Sequence, residues 1–324
     1  MMALLDIRNV NIVYKMEGHD ILACDDVNIT METQDSLGIV GESGSGKSTL
    51  AMGILGLLPT NITSIAGEII FKGTNLIGLS REDYAKLRWK ELSAVFQKSM
   101  NSLSPVHKVG KQMAAIYRVH MPSASDSECR KMGYNLFEKV GLSSRVYDAY
   151  PHELSGGMAQ RVAIALSLMF HPALVILDEA TTALDVITEG QILRELVTLQ
   201  EKEKMASIVI THNVSVVATT CKKVVVMYAG RIVESGWTDQ VLVTPKHPYT
   251  QGLLKSFPAF HGERQSLRGI PGSLPDLSMR IPGCVFAPRC PHAVDRCHKE
   301  RPSDILLGEH WRVACFLVEG DEKQ

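Results

Sequence analysis

Gly41-Glu42-Ser43-Gly44-Ser45-Gly46-Lys47-Ser48 decides the reading of this chain, because it fits G-x-x-x-x-G-K-[ST] without a gap. The run Leu37-Gly38-Ile39-Val40 before it reads as a buried strand. Behind it, Leu50, Ile54, Leu57 and Leu58 recur at helical spacing until Pro59 stops the helix. A strand, a glycine loop and a helix in that order curl backbone N–H groups around phosphate oxygens and aim the positive end of the helix at the anion. Lys47 then reaches the β- and γ-phosphates and the Ser48 hydroxyl binds Mg²⁺, with Gly41, Ser43, Gly44, Ser45, Gly46 and Thr49 completing the cradle.

Working outward, 324 residues suggest about two domains. Hydrophobic residues at 45% and charged residues at 21% are ordinary for a soluble chain with a real core. The formal net charge of −1, with no Lys/Arg block, gives no electrostatic footprint for nucleic acid. No secretory signal opens the chain, and no run of apolar residues is long enough to span a membrane. Of the cysteines, Cys24, Cys129 and Cys221 are scattered, whereas Cys284, Cys290, Cys297 and Cys315 cluster. In a nucleotide-binding chain that cluster reads first as a metal site rather than as disulfides.

In order along the chain, residues 4 to 30 alternate as antiparallel strands. Tyr14, near a strand end, either stacks on adenine or is a half-buried strand tyrosine. Gly67 to Phe71 reads as a strand, and Ser80-Arg81-Glu82-Asp83 opens a helix through about Trp89. Ala94-Val95-Phe96 is a short apolar run ending in Gln97, and the more polar residues 100 to 150 read as a helical insertion. At Leu154-Ser155-Gly156-Gly157-Met158-Ala159-Gln160 a second glycine turn opens a helix with Ser155 as its cap, a further place for a phosphate.

Leu174-Val175-Ile176-Leu177-Asp178-Glu179 is a buried parallel strand that delivers two carboxylates to its C-terminal edge. Asp178 suits the Mg²⁺ shell, and Glu179 suits orienting or deprotonating a water. A helix through Leu199 ends in the solvated run Glu201-Lys202-Glu203-Lys204. Ser207 to Thr211 is another buried strand, presenting His212 at its edge, and Lys223 to Glu234 reads as a hairpin. From about Val243 prolines recur and periodicity fades, which marks a separate loop-rich module that would gain from a metal staple.

Together these pieces resemble the nucleotide-binding subunit of an ABC (ATP-binding cassette) transporter, in that family's order, over residues 4 to about 240. The resemblance implies an α/β fold: a RecA-like core with an antiparallel β subdomain and a helical subdomain inserted at about 98–152, the cassette covering 1–242 and a C-terminal cysteine module 243–324. It makes Gly41 to Ser48 the Walker A loop, Leu174 to Asp178 Walker B, Glu179 the catalytic glutamate and His212 the switch histidine. Gln97 becomes the Q-loop glutamine, sharing Mg²⁺ with Ser48 and Asp178, and Tyr14 the adenine-stacking aromatic. Leu154 to Gln160 becomes the family signature and Thr182 to Asp185 the D-loop. Two cassettes then close head to tail over ATP, so that Ser155, Gly156 and Gly157 contact nucleotide held by the partner's phosphate loop, with Asp185 beside it.

His247-Pro248-Tyr249-Thr250, Ile270-Pro271-Gly272 and Gly283-Cys284-Val285-Phe286-Ala287-Pro288-Arg289-Cys290 are similar to the tail of the dipeptide/oligopeptide/nickel importer subfamily. That implies a second, non-identical cassette, two membrane permeases and an extracytoplasmic solute-binding protein, with this chain peripheral on the cytoplasmic face. The four clustered cysteines match those that hold a [4Fe–4S] cluster in some relatives. Their C-x5-C-x6-C-x17-C spacing is not the paired C-x2-C of a zinc ribbon, and zinc or plain thiols stay open. Short peptides are the expected cargo, with nickel, chelated metal or an oligosaccharide as alternatives. A non-transport cassette ATPase working on nucleic acid would carry fused cassettes, a coiled coil or a basic surface, none of which this sequence has. Three departures from the family pattern stand out: Lys98-Ser99 after Gln97, Asn213 after His212, and Gln34-Asp35 where a glycine-acid pair is usual.

Overall fold

A computed structural model describes residues 3–96, 103–180, 186–256, 269–279 and 281–319. The described elements follow the chain as β1 (Leu5–Met16), β2 (His19–Met31), β3 (Ser36–Val40), α1 (Lys47–Leu55), β4 (Ile62–Phe71), β5 (Thr74–Asn75), α2 (Arg81–Leu87) and β6 (Leu92–Phe96). Next come α3 (Val109–His120), α4 (Asp126–Lys139), α5 (Gly156–Ser167), β7 (Leu174–Asp178), α6 (Val186–Glu203) and β8 (Ala206–Ile210). The chain continues with α7 (Val214–Thr220), β9 (Lys223–Tyr228), β10 (Arg231–Trp237), α8 (Thr238–Val243), α9 (Pro248–Lys255), α10 (Asp295–Lys299), β11 (Ile305–Leu306) and β12 (Arg312–Val313). It separates into two compact units, Met1–Tyr84 with Val209–Gln324, and Ala85–Ile208. No helix among the described residues is long and apolar enough to cross a membrane.

In the first unit β1 and β2 pair antiparallel as their alternation predicts, and β4 and β5 extend them into a sheet ordered β2-β1-β4-β5. Leu5 and Ile7, then Val10 and Ile12, are almost wholly buried, a period-2 covered face stepped by one residue at the register shift between Ile7 and Val10. A second set of strands runs β11-β12-β10-β9-β3. Here β3 lies parallel to β9, with Leu37 opposite Lys223 and Val40 opposite Val226, while β9 and β10 form the expected hairpin. Every residue of β3 is buried, as a continuous apolar run in a parallel pair requires.

The tail belongs to this same unit and is not set apart from its sheet. β12 hydrogen-bonds along β10, pairing Val313 with Glu234. Glu234, only 1% exposed, accepts N–H groups from Lys246 at 2.9 Å, His247 at 2.9 Å and the Trp311 indole at 3.0 Å. An uncompensated buried carboxylate costs several kcal/mol, so these three donors fix where the tail leaves the sheet.

In the second unit β6 and β7 are parallel, from Leu92 opposite Leu174 to Phe96 opposite Asp178. Ahead of β7, α3 packs on α4, and Ser125 and Glu128 close a reciprocal capping box that fixes the start of α4. α5 is buried nearly all round from Ala159 to Ser167, wider cover than the single stripe its sequence suggests.

Three local expectations are corrected. α1 ends at Leu55, before Pro59, because Gly56 turns left-handed (φ 61°) and caps the last carbonyls, leaving Leu57 exposed. The strand expected from Gly67 begins earlier, at Ile62, paired with Tyr14. Glu203 is not merely solvated, since it accepts Lys139 and His171 at 2.6 Å each.

Candidate functional site

The phosphate loop follows directly from the carboxyl end of β3. Gly41, Gly44 and Gly46 take φ of 152°, 80° and 100°, the half of backbone space that L side chains avoid. A Cβ on Gly41 would sit 2.1 Å from the Met227 carbonyl oxygen, and one on Gly46 2.2 Å from that of Ala23. Backbone cannot yield to that overlap, so the glycines are sterically required here. The helix that follows starts at Lys47 with no side-chain cap and no carboxylate in its first turn, which leaves its positive end for an anion. Ser48 and Thr49, both half-buried, lie in that first turn. Ser43 and Gly44 are exposed, and Ser45 is wholly buried.

Lys47 is 5% exposed, and its ammonium donates to the Gly41 carbonyl at 2.8 Å, the Glu42 carbonyl at 2.7 Å and Ser45 Oγ at 3.2 Å. These oxygens hold a cation over the loop. The loop is anchored behind by the Gly230 N–H donating to the Ser45 carbonyl at 3.0 Å and the Asp25 N–H to the Gly230 carbonyl at 2.9 Å.

Tyr14 is half-buried and opposite Ile21 in the β1–β2 register, two positions along β2 from Ala23, whose carbonyl abuts Gly46. The Thr211 N–H donates to the Ile39 carbonyl at 3.3 Å, so exposed His212 follows at the same carboxyl edge as the phosphate loop. Asn213 caps α7 by accepting the Ser215 N–H at 3.0 Å. The aspartate usual in the family would make the same bond, so this departure costs the fold nothing. Gln34 stands left-handed (φ 66°), the conformation that the more usual glycine supplies without strain.

In the second unit Ser155 caps α5, accepting the Met158 N–H at 3.3 Å. Ser155 and Gly156 are exposed and Gly157 is half-buried, so the start of this helix faces solvent. Arg161, one turn on, bonds the Val140 carbonyl at 2.7 Å and Glu195 at 2.5 Å, which ties α5 to its surroundings. Asp178 is buried at the last position of β7. Glu179 follows, half-buried and left-handed (φ 48°), a strained turn that no local sequence signal announces. Gln97 comes immediately after Phe96, the partner of Asp178, but it and Asp185 with the rest of Thr182 to Asp185 lie outside the described residues.

The tail reaches the phosphate loop within the first unit, a contact between distant segments that no local spacing in the sequence announces. The Glu42 N–H donates to the Tyr249 hydroxyl at 2.9 Å, and Arg289 Nη1 donates to the Glu42 carboxylate at 2.8 Å.

Cys284, Cys290, Cys297 and Cys315 are free thiols gathered in the tail. The Cys284 N–H donates to the Cys297 carbonyl at 2.8 Å. Burial pushes the Cys315 thiol up to about 11, and the other three cysteines add to that. Four thiols are the right donors for iron or zinc in kind and number. No three His, Cys, Asp or Glu side chains among the described residues are arranged to hold a metal ion as they stand.

Comparison with known proteins adds independent findings. A family model described as ABC transporter matches residues 24–182, and one described as oligopeptide/dipeptide transporter, C-terminal region, matches residues 233–297. The chain is 39% identical over 323 residues to the dipeptide transport ATP-binding protein DppD of Escherichia coli, covering 99% of this chain and 98% of that one. It is 38% identical to the oligopeptide transport ATP-binding protein AppD of Bacillus subtilis, covering 98% of each. Among solved structures it resembles the ATP-binding cassette MJ0796 bound to ADP and Pi, with TM-score 0.64 and 28% identity over 72% of this chain and 98% of that one. It also resembles cbiO1 of Clostridium perfringens, part of the ABC transporter complex cbiONQ, with TM-score 0.65 and 30% identity over 75% and 92%.

Proposed function

Since this chain belongs to the ATP-binding subunits of dipeptide and oligopeptide ABC transporters, we propose that it hydrolyses ATP to drive import of short peptides. One observation carries the reading: an intact glycine loop with its lysine buried and oxygen-held, on a chain similar to peptide-transport ATPases along nearly its whole length. In this reading residues 1–242 form the cassette, with 98–152 its helical insertion, and 243–324 the extension.

Lys47 and the N–H groups of Gly44 to Thr49 hold the β- and γ-phosphates, and Tyr14 stacks on adenine. Ser48 and Asp178, with Gln97, offer the hard oxygens that Mg²⁺ prefers, and the ion supplies neutralising charge when bound. Glu179 orients water for in-line attack on the γ-phosphate, and His212 contacts that phosphate from the sheet edge. Ser155, Gly156 and Gly157, with Asp185, meet the nucleotide of a second cassette, and closure of that pair moves two permeases fed by a solute-binding protein. The chain sits peripherally on the cytoplasmic face of the membrane. Cys284, Cys290, Cys297 and Cys315 would be the thiolate ligands of a [4Fe–4S] cluster, which would staple the loop-rich tail.

The test is uptake in the native cell carrying Glu179→Gln, with labelled di- and oligopeptides beside nickel and chelated metals. Loss of peptide uptake alone is the expected result. Intact peptide uptake with lost metal uptake would overturn the cargo and leave the ATPase in place.

A further inference from the structure

Two tail motifs meet one residue of the phosphate loop, and a third braces the arginine of the second. Tyr249, of His247-Pro248-Tyr249-Thr250, is wholly buried and takes the Glu42 backbone N–H on its hydroxyl at 2.9 Å. Its ring packs against Tyr228 and Phe286, with centroids 4.6 Å and 5.4 Å away, so the hydroxyl is aimed by a fixed aromatic cluster. Arg289, of Ala287-Pro288-Arg289-Cys290, has a side chain only 6% exposed and donates to the Glu42 carboxylate at 2.8 Å. Its other donors take the Pro271 carbonyl at 2.8 Å and the Ile270 carbonyl at 3.0 Å, which belong to Ile270-Pro271-Gly272.

Glu42 is thereby held by two tail residues as well as by Lys47. Its N–H is fixed by Tyr249, its carboxylate by Arg289, and its carbonyl accepts the Lys47 ammonium at 2.7 Å. A residue held at its N–H, its C=O and its carboxylate cannot turn either flanking peptide without breaking a part-buried hydrogen bond. The Glu42 carbonyl therefore presents a fixed oxygen to Lys47, and the loop N–H groups that follow inherit a fixed start.

We propose that Tyr249 and Arg289 are positioning residues of the nucleotide site, acting through Glu42 to set the phosphate loop and the Lys47 ammonium for ATP. The C-terminal extension is then part of the ATP-binding apparatus and not only an appendage of it. The proposal rests on the phosphate loop binding ATP and is independent of the cargo.

Tyr249→Phe is the decisive variant, because it removes one hydroxyl and keeps the ring packing. Arg289→Gln and Glu42→Gln complete the set. ATP affinity of the purified full chain is measured by titration calorimetry, beside the thermal midpoint without nucleotide. Tyr249→Phe is expected to weaken ATP binding roughly five- to tenfold. Arg289→Gln is expected to do the same alone and to add little in the Glu42→Gln background, the non-additivity of residues acting through one partner. A merely structural role would lower the midpoint and leave ATP affinity within about twofold, and that result for Tyr249→Phe overturns the proposal. Full additivity of Arg289→Gln with Glu42→Gln overturns the route through Glu42. Should Arg289→Gln fail to fold, Tyr249→Phe decides alone. A wild-type chain that bound no ATP would overturn the ATPase reading as well, which keeps the two failures distinct.

Discussion

Arg289 and Glu42 stand 247 positions apart in sequence and 2.8 Å apart in space, joining the cysteine-bearing tail to the second residue of the phosphate loop. The pair is mostly shielded from water, the arginine side chain at 6% and the glutamate at 28% exposure. An ion pair so placed is costly to break from one side, because the remaining charge loses its partner without gaining full hydration. This contact makes the tail and the nucleotide site one structural problem.

Gln34 is exposed and left-handed, with φ 66°. A non-glycine residue pays roughly 1–2 kcal/mol there, and glycine recovers most of it against its own unfolded-state entropy. Gln34→Gly is expected to stabilise the chain by about 0.5–1 kcal/mol, read as a higher urea midpoint at unchanged slope. A lower midpoint would mean that the glutamine side chain has a role its exposed position does not suggest.

His247 is fully buried and accepts the Tyr249 N–H on Nδ1 at 3.0 Å, and burial pushes its imidazole down to about 3 from an ordinary 6.5. Between those two values the unfolded chain holds a proton that the native chain refuses, so stability falls as pH drops from about 6.5 toward 3. The limiting slope is about 1.4 kcal/mol per pH unit. His247→Asn keeps an oxygen to cap α9 and removes the titration. Urea melts from pH 7 to pH 4 should show a steeper acid loss in the wild type than in the variant; parallel slopes would remove His247 as the cause.

A [4Fe–4S] cluster on the four tail cysteines would make the anaerobically purified protein brown, with iron and sulfide near ~4 each per chain. Cys297→Ser should bleach it, and chelation should lower the thermal midpoint if the cluster staples the tail. A colourless preparation holding zinc would contradict the cluster, and one holding no metal would leave four plain thiols.

Much of this was legible in the sequence because the decisive features are local. Gly41 to Ser48 is contiguous, and its glycines announce the backbone they must adopt. The buried strand before it and the capped turns at Ser155 and Ser80 are likewise written within a few residues. The end of α1 was misread because a left-handed Gly56 and a later Pro59 both stop helices, and the nearer one acts first. The strained turn at Glu179 leaves no trace, since the residue type disfavours the conformation it takes. Tyr249 and Arg289 were visible as motifs, but their target was not. A contact between distant segments has no period and no spacing from which it can be read.

The account's central claim, that this chain hydrolyses ATP at the phosphate loop with Glu179 as the water-orienting carboxylate, is tested most directly by steady-state ATP turnover of the purified chain beside Glu179→Gln. The account predicts that the variant binds ATP as well as the wild type, loses turnover by about a hundredfold or more, and accumulates as an ATP-bound dimer on size exclusion. Turnover surviving the substitution would contradict it.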